Sequence, residues 1–240
     1  MSTYILSDIH GDIDAFEKML KEIDYRAEKD FLIINGDVLD RGEHGVELLL
    51  IIMDMVKRNE AIMLKGNHEL FAQMYLEGTM TENMWVRFYG EASIKGLNAL
   101  EDGKKAEVLD FIKNLPLYME REVPGLGQTV ITHSGLKEGH LVTKADEKTD
   151  VVASIVEALE YDEYELLTSA DIHYWPVSTH RTFDKYIICG HQPTFQLGPE
   201  YLGKIYKSRY YMDIDAGAGN RSFGGKLACL CLDDGKEFYI

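Results

Sequence analysis

Short, largely apolar runs separated by polar clusters set the rhythm of the first third of this chain. Thr3-Tyr4-Ile5-Leu6, Phe31-Leu32-Ile33-Ile34 and Ala61-Ile62-Met63-Leu64 are each too short for a helix and do not alternate with polar residues, so each predicts a buried strand. After the first run, Ile13, Phe16, Met19, Leu20 and Ile23 recur at helical spacing. A second helix is predicted from about Gly45 to Arg58, where near-continuous apolar content implies burial on more than one side, and a third from Glu69 to Glu77. Strand, polar cluster and helix thus repeat roughly every 30 residues, the signature of βαβ units in a mostly parallel sheet.

The pattern then changes. Residues 78–116 read as a helical insertion covering the sheet, with Trp85, Phe88 and Tyr89 on one segment and Val108, Leu109, Ile112 and Leu115 on another; aromatic positions at such spacing are assigned to packing. Thr129–Thr132 and Tyr186–Cys189 are further strands, separated by a variable segment of acidic helices and loop over 137–181. Tyr210–Ile214, Lys226–Leu232 and Glu237–Ile240 read as strands of an antiparallel meander joined by Gly-rich turns. A length of 240 residues with 45% hydrophobic content suits one well-filled α/β core, and a single domain over 1–240 is predicted.

Charge narrows the partners. A formal net charge of −16 argues against general nucleic-acid binding or membrane-surface binding, which draw on patches of Lys and Arg. A phosphate-bearing ligand must then be held locally, by metal ions or a few placed arginines. The three cysteines do not form a disulfide framework: Cys229 and Cys231 alternate on one strand and Cys189 lies in an apolar run, as buried reduced thiols do. With no apolar leader at the N-terminus and no apolar run longer than Leu48–Met53, a cytoplasmic, membrane-free protein is expected.

The polar clusters carry the chemistry. Asp8 and His10, then Asp37, then Asn67 and His68, then His133, and finally His191 all stand just past the end of a predicted strand, next to or near Gly or Asn. In open α/β sheets that end is the usual ligand site. Any one of them alone reads as a turn or hydrogen-bonded residue, and His44, His140, His173 and His180 lack the context. As a set they form a mixed imidazole, carboxylate and amide ligand group suited to Mn²⁺, Fe or Zn²⁺. Two ions need a shared ligand, and Asp37 is the candidate, with Asp8 and His10 on one side and Asn67, His133 and His191 on the other.

The motifs Asp8-x-His10-Gly11, Gly36-Asp37-x-x-Asp40-Arg41-Gly42, Gly66-Asn67-His68-Glu69, His133-Ser134-Gly135 and Gly190-His191 resemble, in order, the signature blocks of the phosphoprotein phosphatase family of metallophosphoesterases. The resemblance implies an α/β sandwich of two mixed β-sheets flanked by helices, a dinuclear Mn²⁺ or Fe/Zn-type centre, and a metal-bridging hydroxide as nucleophile. It also implies roles for catalytic residues. His68 would be the general acid, Asp40 would orient its ring, and Arg41 would grip the phosphate oxygens. Ser134 is a minor departure. A larger one is Leu166-Leu167-Thr168-Ser169-Ala170, which lacks the tryptophan and adjacent arginine usual in the family. Arg181, the only arginine between His133 and His191, is then the candidate second phosphate contact.

The expected function is hydrolysis of phosphomonoesters, with phosphoprotein Ser/Thr residues as leading substrates and symmetrical dinucleoside tetraphosphate hydrolysis as the alternative. A catalytically silent metal-binding scaffold is the reading from another class. The presence of His68, Asp40 and Arg41 speaks against it, since a structural metal site has no use for them.

Overall fold

The computed structural model describes residues 2–240. The first half contains β1 (Ser2–Leu6), α1 (Ile13–Glu22), β2 (Asp30–Ile34), α2 (Gly45–Lys57), β3 (Ala61–Met63), α3 (Asn67–Leu76), α4 (Glu82–Trp85), α5 (Glu91–Asn98) and α6 (Asp102–Lys113). Next come β4 (Tyr118–Val123), β5 (Gly127–Thr132), a small hairpin of β6 (Val142–Thr143) and β7 (Thr149–Asp150), and helices α7 (Val151–Tyr161), α8 (Glu163–Leu167), α9 (Asp171–Tyr174) and α10 (Val177–His180). The chain ends with β8 (Tyr186–Cys189), β9 (Tyr206–Lys207), β10 (Tyr211–Asp213), β11 (Ala228–Cys231) and β12 (Glu237–Tyr239).

Two five-stranded mixed sheets result, in the orders β12-β11-β1-β2-β3 and β4-β5-β8-β10-β9. Each has a parallel trio, β1, β2 and β3 in one and β5, β8 and β10 in the other. The sheets pack face to face through Ile5, Ile33, Ile131, Ile188, Met212 and Leu230. Their neighbours in sequence point the other way: Leu6, Leu32 and Ile34 meet α1 and α2, while Val130 and Ile187 meet α7 and α9. Both faces of each trio are therefore buried, which is why these strands read as unbroken apolar runs. Full burial of each such side chain stabilises by about 1.5–3 kcal/mol.

The α/β sandwich flanked by helices is as predicted, and so are the first two helices within a residue or so. Three details differ. β4 was missed because it is an antiparallel edge strand whose Glu120-Arg121-Glu122 stretch has no apolar run. The predicted meander is divided between the sheets: β10 runs parallel to β8, whereas β11 inserts antiparallel beside β1 and carries β12. Helix α3 starts at Asn67, because the Glu69 carboxylate accepts the Gly66 backbone N–H at 3.0 Å and closes a capping turn. The three cysteines are free and buried. Among the described residues no helix is long and apolar enough to cross a membrane.

Candidate active site

The carboxyl ends of both parallel trios open on the same side, and the loops leaving them converge. Leu6 leads to Asp8 and His10, Ile34 to Asp37, Thr132 to His133 and Cys189 to His191, while Asn67 and His68 occupy the first turn of α3. Cross-loop backbone bonds fix this arrangement, with Asp8 N donating to Gly36 O at 3.1 Å and His10 N to Asp37 O at 3.0 Å. The loops are bent sharply. Asp8, His10, Asp37, Asp40, Arg41 and His191 all have positive φ, between 51° and 74°. Non-glycine residues rarely adopt this region and it costs energy there, so strain is concentrated on the residues nominated from sequence. Gly36 shows why the turns are glycine-rich: a Cβ there would lie 2.7 Å from Gly66 Cα and 2.8 Å from His133 Nδ1.

Two groups of potential metal-ligating atoms meet here, His10 with Asp37 and His68, and Asp37 with His133 and the half-buried His191. Asp37 belongs to both. Its Oδ2 lies 3.9 Å from His10 Nε2 and 3.7 Å from His68 Nε2, and its Oδ1 lies 3.4 Å from His133 Nε2. The Asn67 side-chain oxygen lies 3.1 Å from His133 Nε2 and 2.8 Å from His191 Nδ1. Asp8 stands at the edge, its carboxylate taking the His191 backbone N–H at 3.0 Å and the Ser7 hydroxyl.

These residues fit divalent cations. His10 and His133 each turn Nδ1 to a backbone carbonyl, Leu39 O and Asn35 O, both at 2.9 Å, which leaves Nε2 facing Asp37. An outer hydrogen bond of this kind is what orients imidazole ligands. Charge supports the fit as well. Burial alone would lower His133, but the Asp37 charge and hydrogen bond raise it to about 10. Burial raises the carboxyl of Asp8 to about 6, with Asp37 adding to the rise. Burial holds His10 and His191 below the usual imidazole range, so their nitrogens are free of a proton, and a cation can balance the Asp37 charge in place of one on His133.

His68 is held differently from the other histidines. Its Nδ1 meets Asp40 Oδ2 at 2.5 Å, and the Trp85 indole N–H donates to that same oxygen at 2.7 Å. Burial would lower the His68 pKa, but the charges of Asp37 and Asp40 and the Asp40 hydrogen bond raise it instead. His68, Asn67, Asp37, His191 and Arg41 share a cleft of about 240 Å³ with Phe71, Arg87, Phe88, Tyr89 and Tyr164. A second cleft of about 560 Å³ joins it at Arg41, Tyr89 and His191 and runs past Gln192, Gly219 and Phe223.

Nine of the ten nominated residues gather here, and Arg181 does not. It is exposed at the end of α10 and lines neither of these clefts. Of the aromatic positions assigned to packing, Trp85 packs in the core as expected, and Phe88 and Tyr89 do not. Trp85 is buried but hydrogen-bonded to Asp40, whereas Phe88 and Tyr89 are 38% and 65% exposed on the cleft wall. Sequence reading gave no role to Glu69, whose carboxylate accepts the backbone N–H groups of Asp37 at 2.8 Å and Val38 at 2.9 Å. A glutamate at the third position of α3, accepting the N-cap Gly66 N–H, is the glutamate half of a capping box, and a glycine at the N-cap gives only that half as a sequence signal.

The comparisons with known proteins agree with this geometry. The symmetrical bis(5'-nucleosyl)-tetraphosphatase of Actinobacillus pleuropneumoniae is 26% identical over 164 residues, which cover 68% of this chain and 56% of that relative. The chain thus spans little more than half the length of this curated relative. The asymmetrical bis(5'-nucleosyl)-tetraphosphatase PrpE of Oceanobacillus iheyensis is 22% identical, covering 99% of this chain and 91% of the relative. Among solved structures, a chain provisionally named a diadenosine tetraphosphatase superposes with TM-score 0.64 at 15% identity, covering 100% of this chain and 92% of its own. A Saccharomyces cerevisiae serine/threonine phosphatase similar to human phosphatase PP5 superposes with TM-score 0.62 at 15% identity, covering 98% and 73%. At such identities the structures share the fold. The calcineurin-like phosphoesterase model, however, matches residues 1–207, and the chain belongs to that family.

Proposed function

We propose that this protein is a divalent-metal-dependent hydrolase of dinucleoside polyphosphates, acting at the site where Asp37 is shared. The observation that carries this reading is the pair of clefts meeting at Arg41, Tyr89 and His191. One is walled by Phe71, Phe88 and Tyr164, the other runs to the exposed Phe223, and Tyr89 belongs to both. Aromatic faces on either side of a cationic centre suit a ligand with a base at each end and phosphates between. The names of the sequence relatives favour the same substrate, whereas the phosphoprotein reading draws only on likeness of fold.

Asp8, His10 and Asp37 would hold one divalent ion, and Asp37, Asn67, His133 and His191 the other; manganese is the preferred identity. Bound there, the ions would supply Lewis acidity and activate water. The chain's own residues do the rest. Arg41 binds phosphate oxygens. Water attacks phosphorus to form a new P–O bond and loses a proton to solvent, the P–O bond to the leaving phosphate breaks, and His68 Nε2 gives its proton to that departing oxygen, to be reprotonated from solvent. Asp40 keeps Nδ1 occupied so that Nε2 faces the cleft.

Assaying diadenosine tetraphosphate, a phosphoserine peptide and p-nitrophenyl phosphate side by side with Mn²⁺ tests the substrate. Preference for diadenosine tetraphosphate over the phosphopeptide is expected, and the reverse order would return the protein to the phosphoprotein reading. Asp37→Asn should lose bound metal, measured by elemental analysis, and turnover by at least roughly a hundredfold. Full activity in that variant with metal replete would sink the mechanism.

A further inference from the structure

Arg41 alone would leave a polyphosphate chain poorly held, and Arg181 lies elsewhere. The cleft contains one other arginine. Arg87 lines it together with Arg41, His68 and Asn67. It belongs to the short helical turn Val86–Phe88, between two residues tied to the catalytic loop. On one side Trp85 donates its indole N–H to Asp40 Oδ2 at 2.7 Å. On the other, Tyr89 O accepts the Arg41 backbone N–H at 3.0 Å. Just beyond, Ser93 Oγ accepts the Asp40 backbone N–H at 2.9 Å, and Gly90 lets the chain fold against the Trp85 ring, where a Cβ would lie 2.4 Å from it. Arg87 is therefore carried on a segment registered to Asp40 and Arg41.

Its charge is also uncommitted. In a chain of net charge −16, Arg26, Arg58 and Arg221 are paired with Asp24, Glu60 and Asp12. Arg87 makes no ion pair among the described residues, although it is exposed on the wall of a cleft that also contains Asp37. A guanidinium held on a fixed segment, free of carboxylate partners and facing the same space as Arg41 is suited to an anion.

We infer that Arg87 is the second arginine of this site, gripping a phosphate next to the one under attack, so that Arg41 and Arg87 together hold a polyphosphate chain. The inference rests on the phosphoesterase reading of the site and deepens it. It makes Arg87 a specificity residue, more important for substrates with several phosphates than for those with one.

The test compares wild type, Arg87→Ala, Arg87→Lys and Arg181→Ala on diadenosine tetraphosphate and p-nitrophenyl phosphate, with metal replete. It also measures, by calorimetry, binding of a methylene-bridged, non-hydrolysable analogue of diadenosine tetraphosphate. Arg87→Ala should raise KM for diadenosine tetraphosphate and weaken analogue binding roughly tenfold or more, as loss of a charge-assisted hydrogen bond does. The KM effect should exceed that on p-nitrophenyl phosphate, kcat should fall far less than KM rises, and Arg87→Lys should recover part of the loss. Arg181→Ala should match wild type. Equal losses on both substrates, or an unchanged KM for diadenosine tetraphosphate, would overturn the assignment. A wild-type protein that cleaves p-nitrophenyl phosphate but neither cleaves diadenosine tetraphosphate nor binds the analogue would overturn it too, leaving phosphoesterase activity standing. Analogue binding that depends on Arg87, in a protein that hydrolyses nothing, would keep the assignment and remove the catalytic reading.

Discussion

Asp40 shows how much a single buried oxygen organises in this protein. Its Oδ2 takes both the His68 ring at 2.5 Å and the Trp85 indole at 2.7 Å, inside a site where Asp40 is fully buried. A carboxylate sharing its charge between two donors is a weaker base toward each, but its orientation is fixed by both. On the proposed mechanism, with His68 as proton donor, Trp85 is a positioning residue, and the distinction is measurable. Trp85→Phe keeps most of the ring volume and removes the N–H, so metal content should stay at the wild-type level while kcat falls by roughly three- to tenfold. The loss should be smaller on a substrate with a good leaving group, p-nitrophenyl phosphate, than on diadenosine tetraphosphate, because the former needs less help from a proton donor. An equal loss on the two, accompanied by lost metal, would mean that Trp85 merely supports the fold.

At the scale of elements, the segments from sequence motif to helix were the readable ones. Asp8, His10, Asp37, Asn67, His68, His133 and His191 each follow a strand buried on both faces, so their apolar runs announced them. Among the strands, what remained hidden had two causes. The polar β4 has no apolar run and is recognisable only beside its hairpin partner β5, while β11, readable as a strand, is placed in its sheet only by pairing with β1, some two hundred residues away. The cleft wall of Arg87, Phe88 and Tyr89 was hidden for another reason: exposed aromatics and packed ones have the same helical spacing. The variable segment 137–181 has its own clasp, equally non-local. Asp184 Oδ1 accepts the Val151 N–H at the start of α7 at 3.0 Å, and its Oδ2 meets Lys144 at 2.6 Å and Lys185 at 3.2 Å. Burial would raise this carboxyl, yet those bonds outweigh it and the pKa is lowered. An Asp depressed in the folded state contributes stability above its unfolded pKa, near 4, and that contribution is lost as pH falls through the lower folded value. Asp184→Asn should therefore cost about 1 kcal/mol at neutral pH, and its difference from wild type should shrink below pH ~4. Denaturant melts at the two pH values check this, and a constant difference would count against the clasp.

At the scale of the whole molecule, the site exists because two sheets present the ends of their parallel trios to one space, and that space is acidic in an already acidic chain. Asp8, Asp37, Asp40 and Glu69 are all fully or almost fully buried. Burial, with Asp37 next in weight, raises the Glu69 carboxyl to about 7. Without cations the folded state must hold this charge by protonation and by imidazolium at His133, at a cost to stability. Cations that bind the folded chain and not the unfolded one remove that cost, and by mass action add about 2.7 kcal/mol at a hundredfold excess over their dissociation constant. For a chain of this size, each kcal/mol is worth about 2–4 °C in melting temperature. Chelation by EDTA should therefore lower the melting temperature by several degrees, and Mn²⁺ in excess should restore it. Asp37→Asn separates this linkage from a general effect of the chelator. It removes the shared ligand and one buried charge, so the variant should melt at or above the metal-free wild type and respond little to Mn²⁺. The same Mn²⁺ shift in that variant would place the stabilising ions somewhere other than this site.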